Sequence, residues 1–325
     1  MLGVTGRVLV LGARGFIGRR VVSQLSRCPQ FTPVAAGRAR QPQGPVETQT
    51  FDATDPESVR RALVGIHGVV NCIAGDPDTI VTATRVLFDA AAQFKPMPKI
   101  VHFSSLLAYG SIEGQVDERV PPRGDLGAYS AAKLTTEKLA AELGSVVTLR
   151  PGIVYGPGSP WWSDRIARLL CAHRLGDLGA AGEGYCNLVY VDDVASAAVR
   201  ALHTQNAEGQ TLNLGSPDVH TWNDYFEIYA RMLGALPLRR ISQRRLKIEQ
   251  TVIAPPLKLL ELAGRLSWLR GMAFPPPIRP WLLEHCRHRI AMSVSSAERI
   301  LGMNWTPLEE GLQKTAAWFL DGGRC

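Results

Sequence analysis

The sequence is most informative first in what it lacks. Its six cysteines, Cys28, Cys72, Cys171, Cys186, Cys286 and Cys325, stand far apart and form no C-x-x-C pair. That spacing excludes a zinc ribbon and a disulfide scaffold, and reduced thiols in a cytoplasmic setting are the expectation. No apolar run approaches the ~20 residues of a spanning helix. No leader-type segment is recognised near the start, because the apolar run at 8–11 is too short for one. Aromatic residues make up 7% of the chain, and the densest basic stretch, 238–247, has none interleaved. Despite a net charge of +7, nucleic-acid binding is therefore not expected; a solvated face or an anion-attracting rim is. His285-Cys286-Arg287-His288 could form a metal corner, but no further ligand accompanies it, and no metal is expected. No internal repeat occurs.

What the chain does have is a strand–glycine–helix unit. The apolar run Arg7-Val8-Leu9-Val10-Leu11 leads into Gly12-Ala13-Arg14-Gly15-Phe16-Ile17-Gly18, and 19–25 reads as a helix start. Glycines let the backbone turn tightly beside a pyrophosphate, and a helix N-terminus offers free N–H groups. The G-x-x-G-x-x-G spacing is weak alone and gains weight from the strand before it and the helix after it. Further apolar strands at 33–36, 68–73, 99–104, 146–149, 188–191 and 211–214 alternate with helices at 59–63, 79–94, 128–143 and 194–202, and Asp55-Pro56 is a good helix start. The alternation predicts an α/β fold with a doubly wound parallel sheet. The pattern breaks over 152–184, and the remainder reads as mostly helical, with capping boxes at Ser295/Glu298 and Thr306/Glu309. Residues 253–283 form an apolar insert framed by prolines. A helix over 257–269 with a wide apolar stripe fits a core or lid better than a membrane surface, so no membrane contact is expected.

Tyr129 and Lys133 lie four residues apart on the predicted helix 128–143, so they share a face. A neighbouring ammonium is expected to lower the phenol pKa. Ser104 and Ser105 end the preceding strand, where open parallel sheets bind ligands. Ser105 can hold a substrate oxygen beside Tyr129. The plainer alternative is a surface i,i+4 pair; the upstream glycine loop argues against it. His102 and Cys72 read as core residues.

Taken in order, these motifs resemble the extended short-chain dehydrogenase/reductase family. The likeness rests on Gly12 to Gly18, Asp52, 71–75, 104–110, Tyr129 to Lys133, 150–158, 191–194, and Leu301-Gly302 with Trp305 and Pro307. The stretch Asn187-Leu188-Val189-Tyr190-Val191 looks closest to the 3β-hydroxysteroid dehydrogenase and dihydroflavonol reductase branches. The resemblance implies a Rossmann-type domain (1–155 plus about 188–216) and a smaller, mostly helical substrate domain (about 156–187 plus 217–325). It implies Tyr129 as general acid/base, Lys133 on the nicotinamide ribose and Ser105 on the substrate oxygen. The implied cofactor contacts are Gly12, Arg14, Gly15, Phe16, Ile17, Gly18, Arg38, Asp52, Ala53, Ala74, Gly75, Ser104, Tyr129, Lys133, Pro151, Ile153 and Val154. A homodimer through the helices 79–94 and 128–143 is also implied.

Arg38 and Arg40, with Arg14, stand where an acidic residue would select NAD, so NADP is the expected cofactor and NAD the second choice. Leu106-Leu107 after Ser105 lacks the Asp-Glu pair of the family's dehydratases. Cys186 stands where its nucleotide-sugar epimerases usually carry a diphosphate-binding arginine, although Arg287 and Arg289 leave a phosphate partner open. Cys171 and Cys186 are secondary acid/base candidates. The expected function is an NADP-dependent ketone reductase or secondary-alcohol dehydrogenase acting on a largely apolar or aromatic small molecule, with Leu106, Tyr155, Trp161, Trp162 and Tyr185 as candidate substrate contacts. The alternatives are a nucleotide-sugar epimerase using transient oxidation, and a non-catalytic dinucleotide sensor.

Overall fold

The computed structural model describes residues 6–38, 45–257 and 276–322. Arg40 and the expected helix beyond Leu257 lie outside the described residues. The chain divides into two compact units: 1–152 with 189–217 and 292–305, and 153–188 with 218–291 and 306–325. The boundary comes before Ile153, and 292–305, which carries Leu301-Gly302 and Trp305, groups with the first unit.

The strands among the described residues are β1 (Gly6–Leu11), β2 (Phe31–Gly37), β3 (Glu47–Thr50), β4 (Gly68–Asn71), β5 (Lys99–Phe103), β6 (Gly114–Val116), β7 (Val147–Pro151), β8 (Ile153–Tyr155), β9 (Leu188–Tyr190), β10 (Thr211–Leu214) and β11 (Ile290–Met292). Seven of them form the sheet of the first unit, in the order β10-β7-β5-β4-β1-β2-β3. Its pairings are parallel, with Leu11 opposite Ala36 on one side and Asn71 on the other. Chain order reverses at β1, so the crevice above β1 and β4 is the topological switch point where such sheets bind ligands. This is a Rossmann-like doubly wound sheet, the fold class expected.

Parallel sheets need cover on both faces, and β1 shows the result: Val8, Leu9, Val10 and Leu11 are all fully buried. Alternation sends Leu9 and Leu11 to the same side as Val34, Ala36, Val69 and Ile100. There they share one core with α2 (Pro56–Ala62), α3 (Pro77–Ala91) and α4 (Gly127–Leu143). Elsewhere α1 (Phe16–Ser26) packs with α6 (Val191–His203), and Leu202 of α6 reaches Gly68 of β4. The expected start of α2 holds: Asp55 accepts from the Glu57 and Ser58 N–H groups at 3.1 and 3.2 Å, with Pro56 at the first helical position. The two expected capping boxes do not form, since the helices Ser295–Leu301 and Leu308–Asp321 are preceded by Val294 and Pro307 without side-chain caps. A box does form at Thr221 and Asp224, at the start of α7 (Trp222–Met232).

In the second unit α7 packs with α5 (Arg165–Cys171) and with the helix Leu308–Asp321. Trp222, Tyr225, Phe226 and Tyr229 are fully buried on α7. Cys28, Cys72, Cys186 and Cys286 are free thiols. Cys171 is disulfide-bonded, against the expectation of reduced cysteines throughout. Among the described residues no helix is long and apolar enough to cross a membrane.

A close backbone approach lies at the sheet's switch point. Gly12 has φ +71°, and a Cβ there would stand 2.8 Å from the Cys72 carbonyl oxygen. Gly12→Ala should therefore cost about 1–3 kcal/mol. A urea titration at neutral pH measures it, and an unchanged midpoint would show that the loop relaxes freely.

Candidate active site

The glycine loop runs from the end of β1 into α1. Gly15 donates its N–H to the Gly12 carbonyl at 2.9 Å and becomes the N-cap of α1. Having no side chain, it leaves the first-turn N–H groups of Phe16, Ile17 and Gly18 without a side-chain cap, and no acidic residue occupies that turn. A Cβ at Gly18 would collide with the Gly12 carbonyl, so only glycine permits this closeness of loop and helix. The result is a concave set of backbone donors at the positive end of a helix, which fits a pyrophosphate.

Beyond the loop, Arg38 follows β2 and is exposed, and its charge acts on Asp52. The Asp52 carboxylate accepts from the Thr54 N–H and hydroxyl at 2.9 and 2.8 Å, and these bonds hold its pKa down. Ala53 follows, half-buried against the core. Ala74 and Gly75 are exposed where the chain leaves β4, and Gly75 has φ +131°. Pro151 closes β7 and is buried. Arg14 is exposed within the loop. Ile153 and Val154, expected beside the nicotinamide, fall in the second unit.

At the end of β5 the chain is tied to α4 residue by residue. Ala, Leu, Lys and Glu make α4 a strong helix, and Gly144, with φ +79°, ends it. Lys133 donates from Nζ to the Phe103 carbonyl at 2.7 Å. Ser104 donates to Glu137 Oε1 at 2.5 Å. Ser105 neighbours the Tyr129 phenol and accepts from the Leu107 N–H at 3.2 Å. Ser130, next to Tyr129, donates to the Leu107 carbonyl at 2.6 Å and pins α4 to the turn after Ser105. The expected trio, Ser105, Tyr129 and Lys133, is thus assembled on two adjoining elements.

Two details differ from the expectation. Burial raises the Tyr129 pKa, and the neighbouring Ser105 is what opposes that rise. The Lys133 ammonium lies 5.8 Å from the Tyr129 ring centroid and is bonded to Phe103, so desolvation outweighs it. The structure also places the Ser104 hydroxyl, expected at the cofactor, on Glu137 in the core, where Ser104 is 3% exposed.

Lys133 is itself buried, and burial pushes its pKa down to about 8. Its surroundings are neutral on two sides. Burial lifts the Cys72 thiol to about 12 and holds His102 well below its usual range. The His102 tautomer follows from its partners. Asn71 Oδ1 accepts from the Ile73 N–H at 3.1 Å, so its amide NH2 faces His102 Nδ1 at 3.2 Å. Nε2 then carries the proton toward Thr136 at 3.0 Å, and Thr136 donates to the Lys133 carbonyl at 2.9 Å. Asn71, Ser130, Thr136, Glu137 and Arg150 carry no site role in the sequence reading. Of these only Glu137, one turn beyond Lys133, offered a spacing signal.

The candidate substrate residues divide. Leu106 and Tyr155 are buried, and Tyr155 packs its hydroxyl against Gly311. Trp161 is 46% exposed, with the Arg165 and Arg279 guanidiniums 5.6 and 5.7 Å from its ring. Trp162 is half-buried between Trp222 and Trp281. Tyr185 is half-buried and bridges to Thr221. Cys186 is fully buried, its thiol directed at the His220 and Thr221 carbonyls at 3.2 and 3.5 Å, and burial pushes its pKa up. Neither charge chemistry nor acid/base work suits it.

The model of the NAD-dependent epimerase/dehydratase family matches residues 8–215. The chain belongs to that family. It is similar to 3beta-hydroxysteroid-dehydrogenase/decarboxylase isoform 2 of Arabidopsis thaliana, 24% identical over 94% of this chain and 61% of the relative. It is also similar to a 3-diazoavenalumate denitrifying reductase of a Streptomyces species, 26% identical over 82% of this chain and 92% of the relative. A mitochondrial NADH dehydrogenase 1 alpha subcomplex subunit 9 of Arabidopsis thaliana is 28% identical over 70% of this chain and 58% of the relative. The chain thus spans only about three fifths of the two Arabidopsis relatives. Among solved structures, the UDP-glucose 4-epimerase of Thermotoga maritima shares the fold with a TM-score of 0.72, 20% identity, and coverage of 97% of this chain and 99% of that one.

Burying Lys133 carries a cost. Lowering its pKa from 10.5 to about 8 amounts to on the order of 3 kcal/mol of stability lost below pH 8. Between pH 8 and 10.5 the unfolded chain binds the extra proton, so this term makes stability rise with pH. Lys133→Met, allowing for the unpaired Phe103 carbonyl, should stabilise the protein by about 1–2 kcal/mol at pH 7, and the difference should shrink above pH 8. Denaturant melts at pH 7 and pH 10 provide the measurement; a variant less stable than the parent at pH 7 contradicts it.

Proposed function

We propose that this member of the NAD-dependent epimerase/dehydratase family is an NADP-dependent oxidoreductase that interconverts a ketone and a secondary alcohol on a small, largely apolar or aromatic molecule. The observation that carries the reading is the grouping of Ser105, Tyr129 and Lys133 at the end of β5. Ser105 neighbours the Tyr129 phenol and lowers its pKa, and Lys133 lies one turn away on the same helix face. The bound dinucleotide supplies or accepts the hydride. Ser105 and Tyr129 together hold the substrate oxygen, and Tyr129 gives it a proton as the alcohol forms or takes one as the alcohol is oxidised. Lys133 binds the nicotinamide ribose and places a positive charge that favours the phenolate during the transfer. Gly15 to Gly18 receive the pyrophosphate, and Arg14 and Arg38 receive a 2′-phosphate.

Reduction or oxidation is favoured over epimerisation by Cys186, which is buried on backbone carbonyls and cannot neutralise a diphosphate. Leu106, buried beside Ser105, offers no acid/base group for elimination. The relatives named as reductases support the same direction, among them a 2-alkyl-3-oxoalkanoate reductase of Shewanella oneidensis, 28% identical over 59% of this chain. The working enzyme is a homodimer through the outward faces of α3 and α4, where Thr82, Arg85, Ala131 and Lys138 are exposed.

Fluorescence titration of the purified chain with NADPH and NADH decides the cofactor, and turnover of ketones decides the class. Tight retention of NAD without net turnover would instead mark a nucleotide-sugar epimerase. Tyr129→Phe should lower turnover by at least about a hundredfold while leaving dinucleotide affinity nearly unchanged; full activity would remove Tyr129 from the mechanism. Arg38→Asp should weaken NADPH by about tenfold or more and NADH little. Equal loss for both would end the 2′-phosphate assignment.

A further inference from the structure

Three consecutive residues at the end of β5 meet three consecutive turns of α4. Phe103 holds Lys133, Ser104 holds Glu137, and Ser105 neighbours Tyr129. The spacing Tyr129, Lys133, Glu137 keeps all three on one helix face. The carboxylate has a second anchor. Arg150 on β7, the neighbouring strand, donates from Nε to Oε1 at 2.8 Å and from its terminal nitrogen to Oε2 at 2.6 Å. Glu137 and Arg150 are 8% and 4% exposed. The Arg150 guanidinium lies 4.7 Å from the centre of the Tyr109 ring, and Tyr109 donates to the Asp117 carbonyl at 2.9 Å.

We propose that Glu137, clamped by Arg150, is the positioning residue of the active site: through Ser104 it holds the strand end in register with α4, and so places the Lys133 ammonium and the Ser105–Tyr129 pair together. The inference rests on the oxidoreductase reading above for its consequence and on the geometry for its cause. A bidentate ion pair has one favoured orientation, so Arg150 fixes the carboxylate plane. A fixed carboxylate accepting from Ser104 fixes the peptide that separates the other two contacts. If the pair were only glue between β7 and α4, Ser104 could face any core polar group; instead it directs its hydroxyl to the same oxygen that Arg150 Nε holds.

The pair also sets the charge around Lys133. The titratable groups facing that ammonium are Cys72 from the end of β4, His102 from β5, and Tyr129 and Glu137 from α4. Cys72 and then Glu137 are the groups that would favour the ammonium; burial keeps the thiol protonated and the imidazole neutral, which leaves Glu137, ion-paired with Arg150, as the anion beside it. Removing that charge leaves Arg150 as an unpaired cation, which disfavours the ammonium further.

The test uses the whole chain and the variants Glu137→Gln and Ser104→Ala. In the parent, NADPH affinity should fall above about pH 8 as Lys133 deprotonates. In Glu137→Gln that alkaline midpoint should move down by about one pH unit, with affinity at pH 8 reduced about five- to tenfold. A merely structural loss would lower affinity without moving the midpoint, and an unmoved midpoint in a folded variant overturns the proposal. Ser104→Ala keeps the ion pair and folds where Glu137→Gln fails. Without any dinucleotide, amide exchange at Leu107, whose N–H is held by Ser105, should speed up at least about fivefold at an unchanged melting temperature. Parental exchange at Leu107 in Ser104→Ala also overturns it. Failure of the parent to bind either dinucleotide would sink the oxidoreductase reading alone, because the exchange measurement still judges the bracket.

Discussion

An ammonium buried in the core is the constraint on which the site depends. Taking Lys133 out of water disfavours its charged form, and every neighbour is arranged around that fact. The Phe103 carbonyl accepts its proton at 2.7 Å, and the Glu137 carboxylate lies one turn along the same helix. His102 and Cys72 add no charge, since burial keeps both neutral. A protonated His102 beside Lys133 would double the positive charge in the same low-dielectric space. The Asn71–His102–Thr136 chain prevents this by giving each imidazole nitrogen one neutral partner, and it ends on the Lys133 carbonyl. The same three side chains thus neutralise the surroundings and hold the helix backbone beneath the lysine.

How much of this is legible in the sequence follows from the range of each interaction. The glycine loop, the Asp55-Pro56 start and the Tyr129/Lys133 pair are local patterns, and the structure realises all of them. Glu137 shares that locality, four residues beyond Lys133, but its meaning comes from Ser104 and Arg150, 33 and 13 residues away. No spacing rule predicts such a bracket. The direction of the phenol pKa escapes the sequence for a related reason: sequence shows which charge is near Tyr129 but not how much water has left it. β3 escapes it because Glu47–Thr50 is polar and largely exposed at the sheet edge, with no apolar alternation to mark it. The expected boxes at Ser295 and Thr306 match a pattern whose geometry the chain does not adopt, while Thr221 and Asp224 adopt it with an acid one carbon shorter than the glutamate of the usual motif.

The second unit is harder to read for a different physical reason. Proton transfer and hydride chemistry demand few residue types at forced separations, so they leave motifs. Apolar recognition is spread over many interchangeable side chains and leaves none. The aromatic residues of this unit show the ambiguity. Trp222, Tyr225 and Phe226 are core, with rings 5.6–6.1 Å apart, and Tyr155 is walled in by Gly311. Trp162, half-buried, bridges that core to Trp281. Trp161, its neighbour in sequence, is the one that keeps a large exposed surface, and it does so against two guanidiniums. Adjacent and chemically identical residues therefore have opposite roles, set by a turn whose N-cap is Ser159. Composition could flag both as pocket candidates; only the direction of each indole separates the one packed against the core from the one left exposed.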